Sequence, residues 1–340
     1  MTLEKVQKLA LACFQGVPTI VLGSGASMPH GLPSMGALST FLNDNLLTED
    51  EVEEDAWLGV RRDLAAGDHL EGALEGKNLP PSLIDKIVRL TWKCVNQDDE
   101  KVFEASLNGG AFPLGQLLRG LFQSTHTTLN IVTTNYDRVI EYACNSVDIL
   151  FQTGFTPGYR QKWESGANQL RFQHGAKAAR VVKIWKVHGS LDWFATPQGL
   201  PIGIPTYRLP EGVLSPLIVT PGLNKYEKIT EDPFRSTFNG ADEALQKSGA
   251  LLCVGYGFRD KQLHPKIEQR CREGNIPVVV LAHTLTDEAK DFLKNRAGNN
   301  YLGLEYSDAG SKIFTAQEPD GFEIEEEDIW SLDGFNKLVT

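Results

Sequence analysis

Short apolar runs alternating with stretches of helical periodicity most restrict the folds open to this chain. Runs at 18–22, 129–133, 182–187, 217–220, 250–254 and 277–281 have the length and the Val, Ile and Leu content of buried strands. A run at 147–151 is a further candidate. Helical patterns separate them. The alternation predicts an α/β fold: a Rossmann-like, mostly parallel sheet with helices on both faces. Between the first two runs, from Pro33 to Thr125, no convincing strand occurs. Apolar residues there recur at helical spacing, first Met35, Leu38, Phe41, Leu42 and Leu46, then Leu83, Ile84, Ile87, Val88 and Trp92. The pattern divides the chain into a Rossmann-like domain (1–33 and 126–317), a helical insertion at 34–125 and an acidic–aromatic tail at 318–340. The insertion suits a lid or an oligomer contact. Segments 152–180 and 195–215 are rich in Gly, Gln, Pro and Thr and are expected to be long, functional loops. In the tail, acids alternate with Phe322, Ile324, Ile329, Trp330, Leu332 and Phe335, a face that docks on its own domain or on a partner.

With 340 residues, 41% of them hydrophobic, the chain can bury one large core, or a core and a subdomain. No stretch approaches the ~20 apolar residues of a membrane helix, so no membrane contact is expected. Near the N-terminus Leu3, Val6, Leu9 and Cys13 recur at helical spacing, which favours an amphipathic first helix over a signal peptide. The five cysteines, Cys13, Cys94, Cys144, Cys253 and Cys271, form no C-x-x-C pair. That fits a cytoplasmic protein and argues against cysteine-ligated zinc; no metal is expected. A net charge of −11 weighs against direct nucleic-acid binding, because phosphate backbones are held by Lys/Arg patches.

In open α/β sheets ligands bind beyond the carboxyl ends of the strands, so the residues that follow each run carry the chemistry. After the first come Gly23, Ser24, Gly25, Ala26 and Ser27, then Gly31, Leu32 and Pro33. Glycines there allow backbone to approach a pyrophosphate, whose charge N–H groups and a helix N-terminus can meet. The third glycine of G-x-G-x-x-G is missing, and glycine-rich βα turns also occur without a ligand. Thr133, Thr134, Asn135, Tyr136 and Asp137 follow the second run. Asp137 is either a site carboxylate or the cap of the helix carrying Val139, Ile140 and Tyr142; Asn135 is either a site amide or a turn residue. Next come Lys186, Val187, His188, Gly189 and Ser190, and after a later run Gly255, Tyr256, Gly257, Phe258, Arg259 and Asp260. His188 stands at a strand end beside a glycine that permits close approach. The later glycines suit a nucleotide lying across the sheet edge, or a tight turn.

Together these residues resemble the sirtuin family. Its Gly-Ala-Gly-x-Ser core and Gly-Ile-Pro correspond to Gly23–Ser27 and Gly31-Leu32-Pro33; its Thr-Gln-Asn-x-Asp corresponds to Thr133–Asp137. Its His-Gly and its later NAD loop correspond to His188-Gly189 and Gly255-Tyr256-Gly257. The ordered set frames residues 18 to 285. Two family features are missing. The Cys pairs of the deacylase zinc module do not occur, and Ser34-Met35-Gly36 stands where a deacylase has Asp-Phe-Arg. With those departures the chain looks like the divergent prokaryotic sirtuin-like domains of anti-phage defence systems, in which the domain hydrolyses NAD+.

The resemblance implies NAD+ as substrate, cut to nicotinamide and ADP-ribose. The transition state would be oxocarbenium-like, by analogy with glycoside hydrolysis. His188 would be the general base, Asn135 would orient water and ribose, and Asp137 would bind ribose hydroxyls or steady the developing charge. Gly23–Ser27 would hold the pyrophosphate, with Pro33 and Thr134 at the rim and Gly255, Tyr256 and Gly257 near the adenosine half. A protein deacylase and a catalytically silent NAD/ADP-ribose-sensing subunit are the rival readings. An NAD+-depleting enzyme needs gating, so a homo-oligomer or a regulatory partner, an ATPase or a nucleotide-processing protein, is expected.

Overall fold

The computed structural model describes residues 2–164, 166–209, 212–222 and 231–340. Helix α1 (Leu3–Gln15) leads into strand β1 (Thr19–Leu22). Helices α2 (Met35–Asn45), α3 (Glu51–Ala65), α4 (Leu70–Leu74), α5 (Pro81–Leu107) and α6 (Pro113–Leu121) follow. Strand β2 (Thr128–Thr133), helix α7 (Val139–Asn145), and strands β3 (Leu150–Gln152) and β4 (Val181–Lys186) complete the first half of the sheet. The second half alternates α8 (Phe234–Gln246), β5 (Leu251–Val254), α9 (His264–Gly274), β6 (Val278–Ala282), α10 (Asp287–Asn295) and β7 (Tyr301–Ser307). Strands β8 (Gly310–Thr315) and β9 (Glu318–Glu325) and helix α11 (Leu332–Val339) close the chain.

Nine strands form one sheet in the order β9-β8-β7-β6-β5-β1-β2-β4-β3. Pairing is parallel from β7 through to β3 and antiparallel for β7–β8 and β8–β9. Side chains alternate across the pleat. Ile20 and Leu22 therefore enter the core shared with α1, α6, α7 and α11, while Val21 enters the one shared with α8, α9 and α10. The expected doubly covered, mostly parallel sheet is the fold observed. From central β1 the chain moves outward in both directions, to β2 and to β5. Their junction is the topological switch point at which such sheets bind ligands.

Four expectations about elements are corrected or sharpened. The run at 217–220 does not join the parallel sheet. Ser215–Ile218 pairs antiparallel with Gly189–Ala195 in a separate four-stranded sheet, because the chain reverses at Gly189. The run at 147–151 becomes the short edge strand Leu150–Gln152. Segments 152–180 and 195–215 are not bare loops: Gln161–Lys162 and Pro201–Gly203 belong to the small sheet, and Gln173–His174 pairs with Lys177–Ala178. Residues 301–325, where no strand was expected, form β7 to β9. The acids of β9 and Asp308 lie on the solvated side of an antiparallel edge, while Glu305 is buried and paired with Lys290, and Ile313 and Phe314 are buried. The terminal helix docks on its own domain. Phe335 is fully buried, and Asn336 Nδ2 donates to the Pro113 carbonyl at 2.8 Å.

Helices α2 to α4 and the first half of α5 pack around their own cluster, which includes Leu42, Trp57, Leu70, Leu74 and Leu83. The second half of α5 and α6 belong to the core of the sheet. Helix α5 is tied there by a buried ionic hub. Arg138, 3% exposed, donates from Nε to Asp99 Oδ2 (2.7 Å), from Nη1 to Asp192 Oδ1 (2.9 Å) and from Nη2 to Asn96 Oδ1 (2.8 Å). Its backbone N–H also donates to Asp99 Oδ1 (2.6 Å), and the Tyr142 hydroxyl donates to Asp99 Oδ2 (2.6 Å). Among the described residues no helix is long and apolar enough to cross a membrane. The five cysteines are buried thiols.

Removing one partner of a buried ion pair leaves an uncompensated charge. Asp99→Ala should therefore lose about 3–5 kcal/mol of stability in denaturant unfolding. A loss below about 1 kcal/mol would show that the hub is dispensable.

Candidate functional site

The loops after β1, β2, β4 and β5 converge on one edge of the sheet. Two short 3₁₀ turns, Ser24–Ala26 and Met28–His30, follow β1. Against them lies Gly255, held at φ +57°. A Cβ on Gly255 would sit 2.2 Å from the Ala26 nitrogen, one on Gly23 would sit 2.4 Å from the Gly255 carbonyl oxygen, and one on Gly25 would sit 2.8 Å from the Gly255 Cα. These three glycines are thus demanded by the contact of one loop with the other. The N–H groups of Gly23 and Gly25 donate to the Val254 and Gly255 carbonyls, and those of Ala26 and Ser27 to Gly23 and Ser24. The expected nest of N–H groups awaiting a phosphate is therefore already committed internally at these four positions. Ser24 is exposed at the rim.

Asn135 is fixed from both ends. Thr133 Oγ1 donates to the Leu22 carbonyl and accepts the Asn135 N–H, each at 3.0 Å. Asn135 Nδ2 donates to the Gly23 carbonyl at 2.8 Å and to Ser27 Oγ at 3.1 Å. The Gly23 carbonyl only accepts, so the amide orientation is determined and both its hydrogens are used. Where sequence reasoning gave Asn135 a donor and an acceptor for a ligand, the structure leaves it the Oδ1 acceptor. Thr134 continues the turn, its N–H 3.4 Å from the Leu22 carbonyl.

Asp137 lies beneath this amide rather than at the open face. It is 5% exposed, accepts from the Val139 N–H at 3.2 Å and takes a hydrogen bond from Ser27. Ser27 thereby links Asn135 to Asp137. Burial pushes the Asp137 carboxyl up to about 6 from an ordinary 3.8, against the opposing pull of Lys186. Fully buried Lys186 pairs with Glu141 Oε1 at 2.8 Å and donates to Ser190 Oγ at 3.2 Å and to the Asp137 carbonyl. Nothing in the sequence singled this lysine out except its place two residues before His188.

His188 is 8% exposed. Its carbonyl accepts from the Val219 N–H at 2.8 Å, and Gly189 follows at φ +88°, where a Cβ would meet the Leu217 carbonyl at 2.1 Å. Nε2 lies 3.1 Å from Asp260 Oδ2, out of line for a hydrogen bond. Sequence reasoning gave Asp260 no role. Its signal was its place as the last residue of the Gly-Tyr-Gly-Phe-x-Asp form in the loop after β5. The Tyr136 hydroxyl donates to the Val219 carbonyl at 2.6 Å; burial, then the charges of Glu71 and Asp260, raise that phenol's pKa.

The remaining expected positions divide. Gly257 has room, with only Thr286 Cγ2 at 3.5 Å from an added Cβ. The Tyr256 ring is instead buried in the core, 4.9 Å from that of Phe258. Pro33 sits just before Ser34, which caps α2. Helix α4 closes over the edge: a Cβ on Gly222 would lie 2.4 Å from the Glu71 carbonyl oxygen, and Glu75 pairs with Lys261 of the β5 loop.

The arrangement can be set beside known proteins. The model of a SIR2-like domain matches residues 129–301, just over half of the chain. The chain belongs to this family. No curated protein matches it. A Sir2 homologue variant solved with ADP-ribose is 13% identical at a TM-score of 0.50, covering 100% of this chain and 96% of the other. A Sir2 homologue–NAD complex is 12% identical at a TM-score of 0.48, covering 100% and 94%. At such identities the likeness is one of fold.

Two outcomes test this geometry. Gly255→Ala should destabilise the chain by more than about 2 kcal/mol, because strain and a backbone clash coincide. Gly31→Ala, at φ +89° with open space around it, should cost only about 1–2 kcal/mol. Equal losses in urea unfolding would refute the interlock. The second test concerns Asp137, whose folded carboxyl holds its proton more tightly than the unfolded chain does. Its ionisation therefore costs stability, a cost absent below pH 3.8 and fully present above about pH 6. Asp137→Asn should gain on the wild type by up to about 3 kcal/mol as pH rises through that window. A stability difference flat in pH would contradict it.

Proposed function

We propose that this chain is an NAD+ hydrolase that releases nicotinamide and ADP-ribose. The observation that carries the reading is the pairing, on adjacent strand ends at the switch point, of an amide left only its acceptor (Asn135) with a histidine beside a carboxylate (His188 and Asp260). Breaking the bond between nicotinamide and ribose C1′ sends the electron pair out with a neutral leaving group and builds positive charge on the sugar. Water adds at C1′ and loses its proton. Asn135 Oδ1 accepts one water hydrogen and aims the oxygen; His188 takes the other proton. Glu71 and Asp260 bring carboxylates to this edge, where negative charge favours a developing cation. Asp137 acts beneath the site, through Ser27, rather than on the ribose. NAD+ and ADP-ribose in the complexes of Sir2 homologues support the substrate class.

The unpaired cysteines and the missing Asp-Phe-Arg segment support water over acyl-lysine as the acceptor. The motif forms Thr-Thr-Asn-Tyr-Asp, Val-His-Gly-Ser and Gly-Tyr-Gly-Phe-x-Asp support a role as the effector of a prokaryotic anti-phage, abortive-infection system acting in the cytoplasm. Helix α4 seated over the edge supports the insertion 34–125 as a gate, opened by oligomerisation or by a regulatory partner. The same closed edge favours, as a second reading, a silent NAD- or ADP-ribose-sensing subunit.

His188→Ala and Asn135→Ala should each lower nicotinamide release by about 100-fold or more, while thermal unfolding still reports a folded chain. Near-wild-type release from both variants, or none from the wild type in any oligomeric state, would overturn the reading.

A further inference from the structure

We infer that Asp260 is the positioning carboxylate of His188, holding the ring with its proton on Nε2 and its lone pair on Nδ1. The inference deepens the proposed reaction and rests on it only for the role of the base. The carboxylate is aimed before the histidine is considered. Asp260 Oδ1 accepts the N–H groups of Gln262 at 3.0 Å and Leu263 at 2.8 Å, which fixes the group at the entrance to α9 and turns Oδ2 toward His188. The histidine backbone is equally fixed, by the Val219 N–H on its carbonyl and by the left-handed turn at Gly189. Ring rotation is the freedom that remains.

Among the described residues Nε2 is buried and forms no hydrogen bond, an arrangement that is costly if left unmade. At 3.1 Å from Oδ2, a modest turn of the ring converts the contact into a charge-assisted N–H···O bond. Among the described residues nothing hydrogen-bonds Nδ1. That nitrogen is the one able to accept a proton from water. Among the described residues, the charges acting on the neighbouring phenols are acidic: Glu71 from α4 and Asp260 from the β5 loop act on Tyr136 of the β2 loop, and Asp260 acts on Tyr256. Lys186, from β4, is committed to Glu141, and Lys261 to Glu75. When His188 takes the proton, the imidazolium forms beside a carboxylate already oriented toward it. The proton stays on the ring and is not passed on to Asp260, which orients it, as the third member of such constellations does.

The test uses the full chain with ¹⁵N-labelled histidine, the His188 signals being assigned by their loss in His188→Gln. Above the titration of the ring, wild-type His188 should be the Nε2–H tautomer, and Asp260→Asn should reduce that preference at least tenfold. In Asp260→Asn, kcat should fall at least tenfold with KM changed less than threefold. Asparagine keeps the Oδ1 acceptor for Gln262 and Leu263, so the turn survives the exchange. The wild-type tautomer requires no variant at all. An Nδ1–H tautomer in the wild type, or a ratio unmoved in Asp260→Asn, overturns the proposal. Since the NMR readout needs no turnover, a chain that shows the predicted tautomer yet releases no nicotinamide keeps the pair and refutes the hydrolase reading.

Discussion

The buried guanidinium of Arg138 is the point at which the separate parts of this molecule meet. It stands one residue after Asp137, at the head of α7, and reaches Asp99 and Asn96 of α5 and Asp192 of the strand that follows His188. A cation so deeply buried is tolerable only because four of its N–H groups are met by oxygen. The consequence is positional. The loop bearing Asn135, the strand following His188 and the helix leading from the insertion are held in one electrostatic unit. Lys186 with Glu141 extends that unit beneath the site, joining β4 to α7.

On this base the site is assembled by backbone contact. The loop after β1 and the loop after β5 touch through Gly23, Gly25 and Gly255, and Asn135 is clamped to the first of them through the Gly23 carbonyl and Ser27. The order of dependence is therefore clear. Glycines let two loops close, the closed loop orients the amide, and the amide presents a single acceptor. Asp260 stands in the same relation to His188, with its own orientation borrowed from two backbone N–H groups.

Much of this was readable in the chain, for identifiable reasons. Strands β1, β2, β4, β5 and β6 are buried on both faces along most of their length and appear as predominantly apolar runs, broken in β2 by Asn130 and in β4 by Lys183. Strands β8 and β9 escaped notice because an antiparallel edge needs apolar residues on one face only, and polar residues occupy the other; β7 is buried from Tyr301 to Glu305, but Gly303 and Glu305 interrupt its apolar run. Asn135, Asp137 and His188 stood out because each follows a strand. Their division of labour did not. Whether an asparagine offers donor or acceptor depends on Gly23 and Ser27, more than 100 residues away. Asp260 closes the Gly-Tyr-Gly-Phe-x-Asp form without a role being legible in it, and Lys186 belongs to no motif, so only their neighbours reveal what they do.

By itself, then, the sequence determined the doubly covered sheet and the set of loops at its carboxyl edge, because strand periodicity and position after a strand are local properties of a chain. Tertiary structure alone decided what those loops do to one another. The glycines read as a cradle for phosphate are also the contact surface between two loops, and Asp137 is buried, linked through Ser27 to Asn135. Burial and hydrogen-bond partnership, which set a carboxyl's charge and an amide's free valence, are made by residues remote in the chain, and no local pattern records them.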